Sequence, residues 1–375
     1  MATRSAAIIA LARTACLWHT PDYVGYATIQ RKAEGKAWKE NWPIESKAFR
    51  RWLNSEYYLR TRKAPSSHAM DEAIAALLAN ANYNGETLPA SVRVTATDEA
   101  HYLDLADPLW SVVKITADGW KWKNPRLVKF CRPHGMQTLP VPRRCGSLEE
   151  LRPFLNLTSG SDWILLVGWL LMAMNPFGPY PILVLHGSAG SAKSTTSRLL
   201  KSLIDANSAP IRALPGNERD LAIAAANSHV LAFDNLSHLR RPMSDALCRL
   251  ATGGGLATRK LYEDNTEFLF YAKRPIISNG ITEVVTQSDL LDRSLVLHLP
   301  DIPPRERRLE RELSGTFAAA IPGILGALLD AHSVAIRNLP TVHLDSLPRM
   351  ADFVHWVTAA EPALGWRTGT FIGCI

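Results

Sequence analysis

Cysteine is scarce and scattered. Cys16, Cys131, Cys145, Cys248 and Cys374 stand far apart in 375 residues, with no C-x-x-C pair and no Cys/His spacing that suits zinc. This excludes a disulfide-built scaffold and a zinc finger, and the thiols read as reduced ones in a cytosolic protein. Long apolar runs are also missing. The longest, Trp163 to Met174, is a dozen residues, too short to cross a bilayer and suited to a buried helix. A single early Arg and a short Ala/Ile stretch at the N-terminus run at once into polar sequence, which does not make a signal peptide. No internal repeat and no primase signature is visible, so a polymerase half would have to lie on another chain or before Met1.

Acidic residues are missing where basic ones gather. The chain carries a formal charge of +7, which points to an acidic partner such as nucleic acid. From Arg31 to Lys63 there are ten Lys/Arg against four Glu, interleaved with Trp38, Trp42, Phe49, Trp52, Tyr57 and Tyr58. Such a mixture can track a phosphate backbone and stack on bases, or the Trp and Tyr residues can form a small helical core with the charges as its solvated face. A helix is expected from Ser66 or Ser67 to Asn80, then strands in SVRVTA, HYLDLA, WSVVKIT and GWKWKNPRLVKF. Between Gly119 and Leu148 seven Lys/Arg meet no Asp or Glu, and Cys131 to Gly146, rich in Pro and Arg, reads as a linker. Residues 1–146 are therefore expected to form a basic, mixed α/β accessory domain.

The chemistry is concentrated in PILVLHGSAGSAKSTTSRLLKS, Pro181 to Ser202. Ile182 to Leu185 is a buried-strand run, and TTSRLLKSLI is a helix former. Between them, Gly187, Ser188, Ala189, Gly190, Ser191, Ala192, Lys193 and Ser194, followed by Thr195, have the order of a phosphate-cradling P-loop. Small residues let successive N–H groups face a polyphosphate at the positive end of the helix. Lys193 reaches the β- and γ-phosphates, and the Ser194 hydroxyl can ligate Mg²⁺. Ala192 takes the place of the pattern's second Gly, and a residue with a Cβ is expected there with negative φ.

Further on, His229-Val-Leu-Ala-Phe-Asp234-Asn235 is an apolar strand ending in an acid, the form of a Walker B segment whose Asp234 holds Mg²⁺. Asn235 follows where many ATPases place a second carboxylate; it can position water but cannot take a proton. Ala272 to Ser278 reads as a strand with Asn279 at its tip, placed to sense the γ-phosphate. Gly253 to Gly255, Arg259 and Lys260 make a flexible basic segment, followed by a hairpin turning near Glu263-Asp264-Asn265. Arg293 starts another strand. It can stabilise a phosphoryl group bound to a neighbouring subunit, or form a salt bridge with Asp289 or Asp292. After Pro304 the chain becomes helical, and Glu310, Arg311 and their neighbours read as a solvated face.

Taken together, Gly187-x-x-Gly190-x-Ala-Lys193-Ser194, Phe233-Asp234-Asn235, Gly253 to Lys260, Ile277-Ser278-Asn279 and Asp292-Arg293 resemble the superfamily 3 helicases, ring-forming AAA+ motors of viral and mobile-element replication. The resemblance covers about residues 150–300. It implies an α/β fold: a P-loop NTPase (AAA+-like) parallel-sheet core over 147–303, the basic mixed α/β domain before it, and a helical region over 304–375. It also implies ATP and Mg²⁺ as cofactors, Ser194 and Asp234 on the metal, Asn279 as sensor and Arg293 as an arginine finger acting in trans. Arg259 and Lys260 would approach single-stranded DNA in a homo-oligomeric, hexameric ring, in the cytoplasm, with a primase or polymerase on another chain. Asn235 in place of the second acid keeps open an alternative, a nucleotide-gated DNA-binding or assembly protein with little hydrolysis. A small-molecule kinase shares the P-loop but leaves Asn279, Arg293 and the basic-aromatic N-terminus unexplained.

Overall fold

In the computed structural model, residues 4–123, 128–236, 239–259, 267–270, 273–280, 288–344 and 346–375 are described. In chain order, α1 (Arg4–Leu11) leads into β1 (Cys16–His19), β2 (Gly25–Ala33) and β3 (Lys36–Pro43), then α2 (Lys47–Thr61) and α3 (Ser67–Asn84). Short strands β4 (Glu86–Thr87) and β5 (Ala90–Ser91) precede β6 (Val94–Thr97), β7 (Ala100–Asp104), β8 (Val112–Thr116), β9 (Gly119–Lys123) and β10 (Lys129–Phe130). The second half holds α4 (Gly160–Ala173), β11 (Ile182–His186), α5 (Lys193–Ile204), α6 (Glu218–Ala226), β12 (Leu231–Phe233) and α7 (Arg241–Thr252). It continues through β13 (Leu256–Arg259), β14 (Glu267–Phe270), β15 (Ile276–Gly280), α8 (Ser288–Leu291), β16 (Ser294–His298), α9 (Glu310–Asn338) and α10 (Ala351–Ala360).

Two compact units result. One comprises Met1–Ser91, Pro108–Val112 and Lys123–Arg132; the other comprises Val92–Asp107, Val113–Trp122 and Pro133–Ile375. The antiparallel β6–β7 pair, expected with the N-terminal domain, thus lies in the second unit.

The first unit is a β3-β2-β1-β4 sheet with three helices. Ser46 and Ser66 cap α2 and α3 by accepting the N–H groups of Phe49 and Ala69. Phe49, Leu53 and Tyr57 of α2 join Ile8, Ala27, Ile29, Met70, Ala73 and Leu77 in its core. Most of the interleaved aromatics are therefore core, while Tyr58 is exposed. The stretch from Arg31 to Pro43 is the end of a β-hairpin and not part of a helical core.

In the second unit, four strands form an all-parallel sheet in the order β12-β15-β11-β16. Strands buried on both faces need continuous apolar runs, which ILVL of β11 supplies. The order reverses beside β11, and the C-terminal strand ends at such a reversal are where α/β sheets hold ligands. Helix α4 is apolar all round, and accordingly Trp163, Leu166, Val167 and Trp169 to Ala173 are buried. Its N-cap is Ser159, accepting from Asp162 N, while Ser147 caps the preceding 3-10 turn, Leu148–Phe154, with a reciprocal Glu150 capping box. Helix α9 is long and apolar enough to cross a membrane by length and composition. Phe317, Ile324, Leu325, Leu328 and Leu329 are instead buried in the unit's core.

From Pro133 onward, the segment read as a linker is built into this unit. Leu139 is buried and its N–H donates to Leu105 O, and Arg143 N–H donates to Pro322 O of α9. A Cβ on Gly326 would stand 1.8 Å from Arg143 O, so small residues on α9 let this segment lie against the helix backbone. The Pro residues that suggested a linker fit because an extended segment of this kind uses few backbone donors.

Two buried imidazoles, His229 and His332, and the half-buried His101 are held neutral. His332 is fully buried, its Nε2 lies 2.7 Å from His101 Nδ1, and His101 stacks on Trp356. Burial lowers His101 to about 4 and His332 well below its ordinary value. Burial likewise lowers His229, beside Arg274 and bonded to Ala173 O, to about 4. Unfolded His titrates near 6.5, so on acidification the unfolded chain takes up protons that the folded chain refuses. The neutral-form contribution is full above pH ~6.5 and is lost as pH falls toward 4, by roughly 1.4 kcal/mol per pH unit for each such proton. Urea titrations at pH 7.5, 6.5 and 5.5 are expected to show stability falling most over the last step; an equal stability at all three would contradict it.

Candidate functional site

The site is built where β11, β12 and β15 end. Gly187 begins the loop with its backbone close to the next strand: a Cβ there would lie 2.5 Å from Leu299 O. Asn156 Nδ2 fixes the loop from outside, donating to Ser191 O (3.1 Å) and Pro300 O (2.6 Å). Ser191, fully buried, donates to Ser188 O at 3.0 Å. Ala192 closes the loop as the residue before α5, at φ 67° and ψ 23°. That corrects the expectation of negative φ: the left-handed conformation of the Gly position is kept although the residue has a Cβ, at a cost of about 1–2 kcal/mol.

Lys193 folds back over the loop. Its Nζ donates to Gly187 O at 2.7 Å and Ser188 O at 2.6 Å. Desolvation lowers its pKa, against an opposing pull from Asp234 and Asp301. Ser194 Oγ donates to Asp234 Oδ1 at 2.9 Å, and the same oxygen accepts Asn235 N–H at 2.9 Å. Asn235 N–H also points at Asn279 Oδ1, 2.9 Å away, and Asn279 Nδ2 donates to Ser197 Oγ at 3.1 Å. Ser197 Oγ in turn donates to Lys193 O at 3.0 Å. One chain of bonds therefore joins the loop helix to the ends of two strands. Asn235 sits at φ 54°, a conformation that Asn tolerates better than most residues, and its side chain is exposed beside the cleft.

The loop residues Ala189, Gly190, Lys193 and Ser194 face Asp234, Asn235 and Asn279 across a cleft of about 470 Å³. The expected loop, Asp234, Asn235 and Asn279 are thus brought together. Asn279 is 1 % exposed, and with its oxygen on Asn235 and one N–H on Ser197 it has one further N–H to give. The donors Ser194 Oγ and Asp234 carboxylate are hard oxygens suited to Mg²⁺, which keeps waters and phosphate oxygens as its other ligands. No cage of three or more His, Cys, Asp or Glu side chains exists among the described residues.

Arg293 is not brought to this cleft. Its carbonyl accepts Ile182 N–H, and β16 runs parallel to β11 with Ile182 opposite Ser294 and His186 opposite His298. Arg293 is therefore at the opposite strand ends, about 16 Å from the loop along five residues. There it pairs with Asp289, also donating to Asp289 O at 2.8 Å, and Arg349 bridges Asp289 and Asp292. The Asp289 hydrogen bond raises the Arg293 pKa further. Arg259 ends β13 opposite Glu267 of β14; Lys260 and the turn at residues 263–265 lie outside the described residues.

One cation at the loop was not anticipated. The Arg307 guanidinium stands 3.2 Å from where a Cβ on Gly190 would lie, while Arg307 Nε donates to Ile302 O at 3.3 Å. Nearby, Arg198 of α5 is ion-paired with Glu310. The Arg305–Arg308 run gives no local signal that one of its members meets the loop. Ser197 had such a signal, since it lies one helical turn beyond Lys193.

The strain at Ala192 predicts that Ala192→Gly stabilises the fold by about 1 kcal/mol, read as a raised urea midpoint at unchanged slope. A lowered midpoint would show that Ala192 relaxes elsewhere.

Among the solved structures similar to this chain are Cch of SCCmec type IV and the C-terminal region of NrS-1. The active helicase Cch of SCCmec type IV is 13% identical, with a TM-score of 0.51, over 93% of this chain and 69% of that one. The C-terminal region of NrS-1 is 12% identical, with a TM-score of 0.49, over 94% of this chain and 74% of that one. At these identities the first likeness is one of fold. No curated protein sequence matches. The model of the actinomycete integrative conjugative element replication proteins matches residues 148–371, which take in the whole parallel sheet, the loop and α9, and the chain belongs to that family.

Proposed function

We propose that the chain is an ATP-hydrolysing, DNA-translocating motor of the superfamily 3 (AAA+) helicase type, serving replication of a mobile element in the cytoplasm. The observation that carries this is the unbroken bond chain from Lys193 and Ser194 through Asp234 and Asn235 to Asn279, at the C-terminal ends of parallel strands. Mg·ATP, when bound, supplies the phosphoryl group and the countercharge on it. The loop N–H groups from Ser188 to Ser194 cradle the phosphates, and Lys193 exchanges loop carbonyls for phosphate oxygens. Ser194 and Asp234 hold the metal. Asn279 and Asn235 orient water through amide groups, and Arg307 adds a cation from the same chain.

Arg293, remote from its own loop, serves a neighbouring subunit in a homo-oligomeric ring of hexamer type, and Arg259 and Lys260 contact single-stranded DNA. A primase or polymerase would act from another chain. One observation favours a second reading, a nucleotide-gated DNA-binding or assembly protein: Asn235 leaves Asp234 without an adjacent carboxylate to take a proton from water.

DNA-stimulated ATP turnover by the wild type, lost at least ~100-fold in Lys193→Ala, is the expected result. Arg293→Ala should lose turnover to a similar degree yet keep ATP affinity, because Arg293 is distant from the loop of its own chain and its surface ion pair contributes little to stability. Turnover unchanged in Arg293→Ala would reject the trans role. ATP binding without DNA-stimulated turnover in the wild type would reject the motor in favour of the gated binder.

A further inference from the structure

The hairpin β2–β3 is longer than the sheet to which it belongs. Strand β1 pairs with β2 only from Gly25 to Thr28, while β2 and β3 continue pairing to Ala33 and Lys36. Beyond Ile29 and Glu40, no third strand pairs with either of the two among the described residues. Burial stops at the same point: Ile29 is buried, whereas Gln30 to Ala37 and Lys39 are all exposed. Four residue pairs extend past the sheet, an arm of about 13 Å. Its tip is tight, with Glu34 at φ 51° and Gly35 at φ 75°, the two positive φ values of a type I′ turn, whose twist matches that of the strands. At the base Glu40 accepts both Trp38 Nε1 and Trp42 Nε1 at 2.9 Å, which anchors the arm.

Arg31, Lys32, Lys36 and Lys39 lie on this arm against the single acid Glu34, and Arg31 reaches back to Glu40 at the base, its Nε 3.7 Å from Oε1. Cross-strand register puts Arg31 opposite Trp38 and Ala33 opposite Lys36 on one face, and Gln30 opposite Lys39 and Lys32 opposite Ala37 on the other. Cations therefore stand on both faces of a twisted two-stranded ribbon, Lys36 and the ion-paired Arg31 on one and Lys32 and Lys39 on the other. A B-DNA major groove, about 12 Å wide, admits such a ribbon, and cations on both of its faces can reach phosphates on both groove walls. From this geometry we propose that the β2–β3 arm is a duplex-DNA binding element, separate from the nucleotide cleft and from the Arg259 segment. Its phosphate contacts supply affinity, and Gln30 is the arm's exposed neutral side chain with an amide that can touch base edges.

Lysines on an edge strand can also serve only to keep it from pairing with another chain. Charge reversal separates the two roles, because glutamate blunts an edge as lysine does but repels phosphate. The full-length chain, free of nucleotide, is titrated against a fluorescent 25-base-pair duplex at several salt concentrations, beside Lys32→Glu/Lys39→Glu and Arg31→Gln/Lys36→Gln. Each pair is expected to weaken duplex binding at least ~10-fold at 100 mM salt. The slope of log affinity against log salt should become shallower by about 2, one unit per phosphate contact removed. Melting temperature and particle mass should stay unchanged, since the four side chains are exposed. Duplex affinity and slope equal to wild type in both variants would overturn the proposal. So would a loss confined to single-stranded oligonucleotides. The outcome is independent of whether ATP is bound or hydrolysed.

Discussion

The carboxylate of Asp205 holds helix α5, which follows the Gly187–Ser194 loop, in place. It terminates α5 and is 1 % exposed, and burial alone would push its pKa up. Lys201 and Arg93 more than reverse that, and it stays ionised. Arg93 Nε donates to Oδ1 at 3.2 Å, and the N–H groups of His229 and Val230 donate to Oδ2 at 2.9 and 3.0 Å. His229 and Val230 lead directly into β12, whose far end carries Asp234. There Ser194, at the start of the same helix, donates back to Asp234. Helix and strand are thus tied at both ends, and their lengths agree. Eleven helical steps from Ser194 to Asp205 span about 17 Å, and five extended steps from His229 to Asp234 span about the same. An unpaired buried charge is costly, so this tie fixes the height of Ser194 against Asp234 as firmly as any contact in the cleft itself.

The cleft then gains its chemistry from what it leaves partly satisfied. Lys193 is bonded to oxygens of its own loop, the carbonyls of Gly187 and Ser188 and the Ser191 hydroxyl, acceptors that on the proposed reading a polyphosphate replaces because charge-assisted bonds are the stronger ones. Asp234 uses one oxygen for Ser194 and Asn235 N–H, and on the proposed reading the other takes a cation. Arg307 brings its guanidinium to Gly190 from the segment leading into α9, so phosphate occupancy and the position of that helix act on the same few ångströms of chain.

Much of this was legible in the sequence because its signals are local. The run from Ile182 to Ile204 states strand, loop and helix in order, and Asp234 and Asn279 each end an apolar strand. Ala192 was misread because composition cannot show that the loop imposes left-handed φ on whichever residue stands there. Cys131 to Gly146 read as a linker since nothing in it announces Gly323 and Gly326, about 180 residues away, on which it lies. Arg93 and Arg307 were invisible for the same reason: each is one Arg among many, and its partner is distant in sequence. The hairpin arm was hidden by composition, because Trp38 and Trp42 among basic residues suit a helix and a ribbon equally until strand pairing is known.

The central claim is that the Gly187–Ser194 loop and Asp234 form one Mg²⁺-dependent nucleoside triphosphate site. Calorimetric titration of ATP into the full-length chain, with Mg²⁺ and with EDTA, tests it most directly, before any turnover is asked for. The account predicts saturable one-to-one binding that Mg²⁺ strengthens at least ~10-fold and that Ser194→Ala makes insensitive to Mg²⁺. Absence of binding in both conditions, or binding equally tight with and without Mg²⁺ in the wild type, would contradict it.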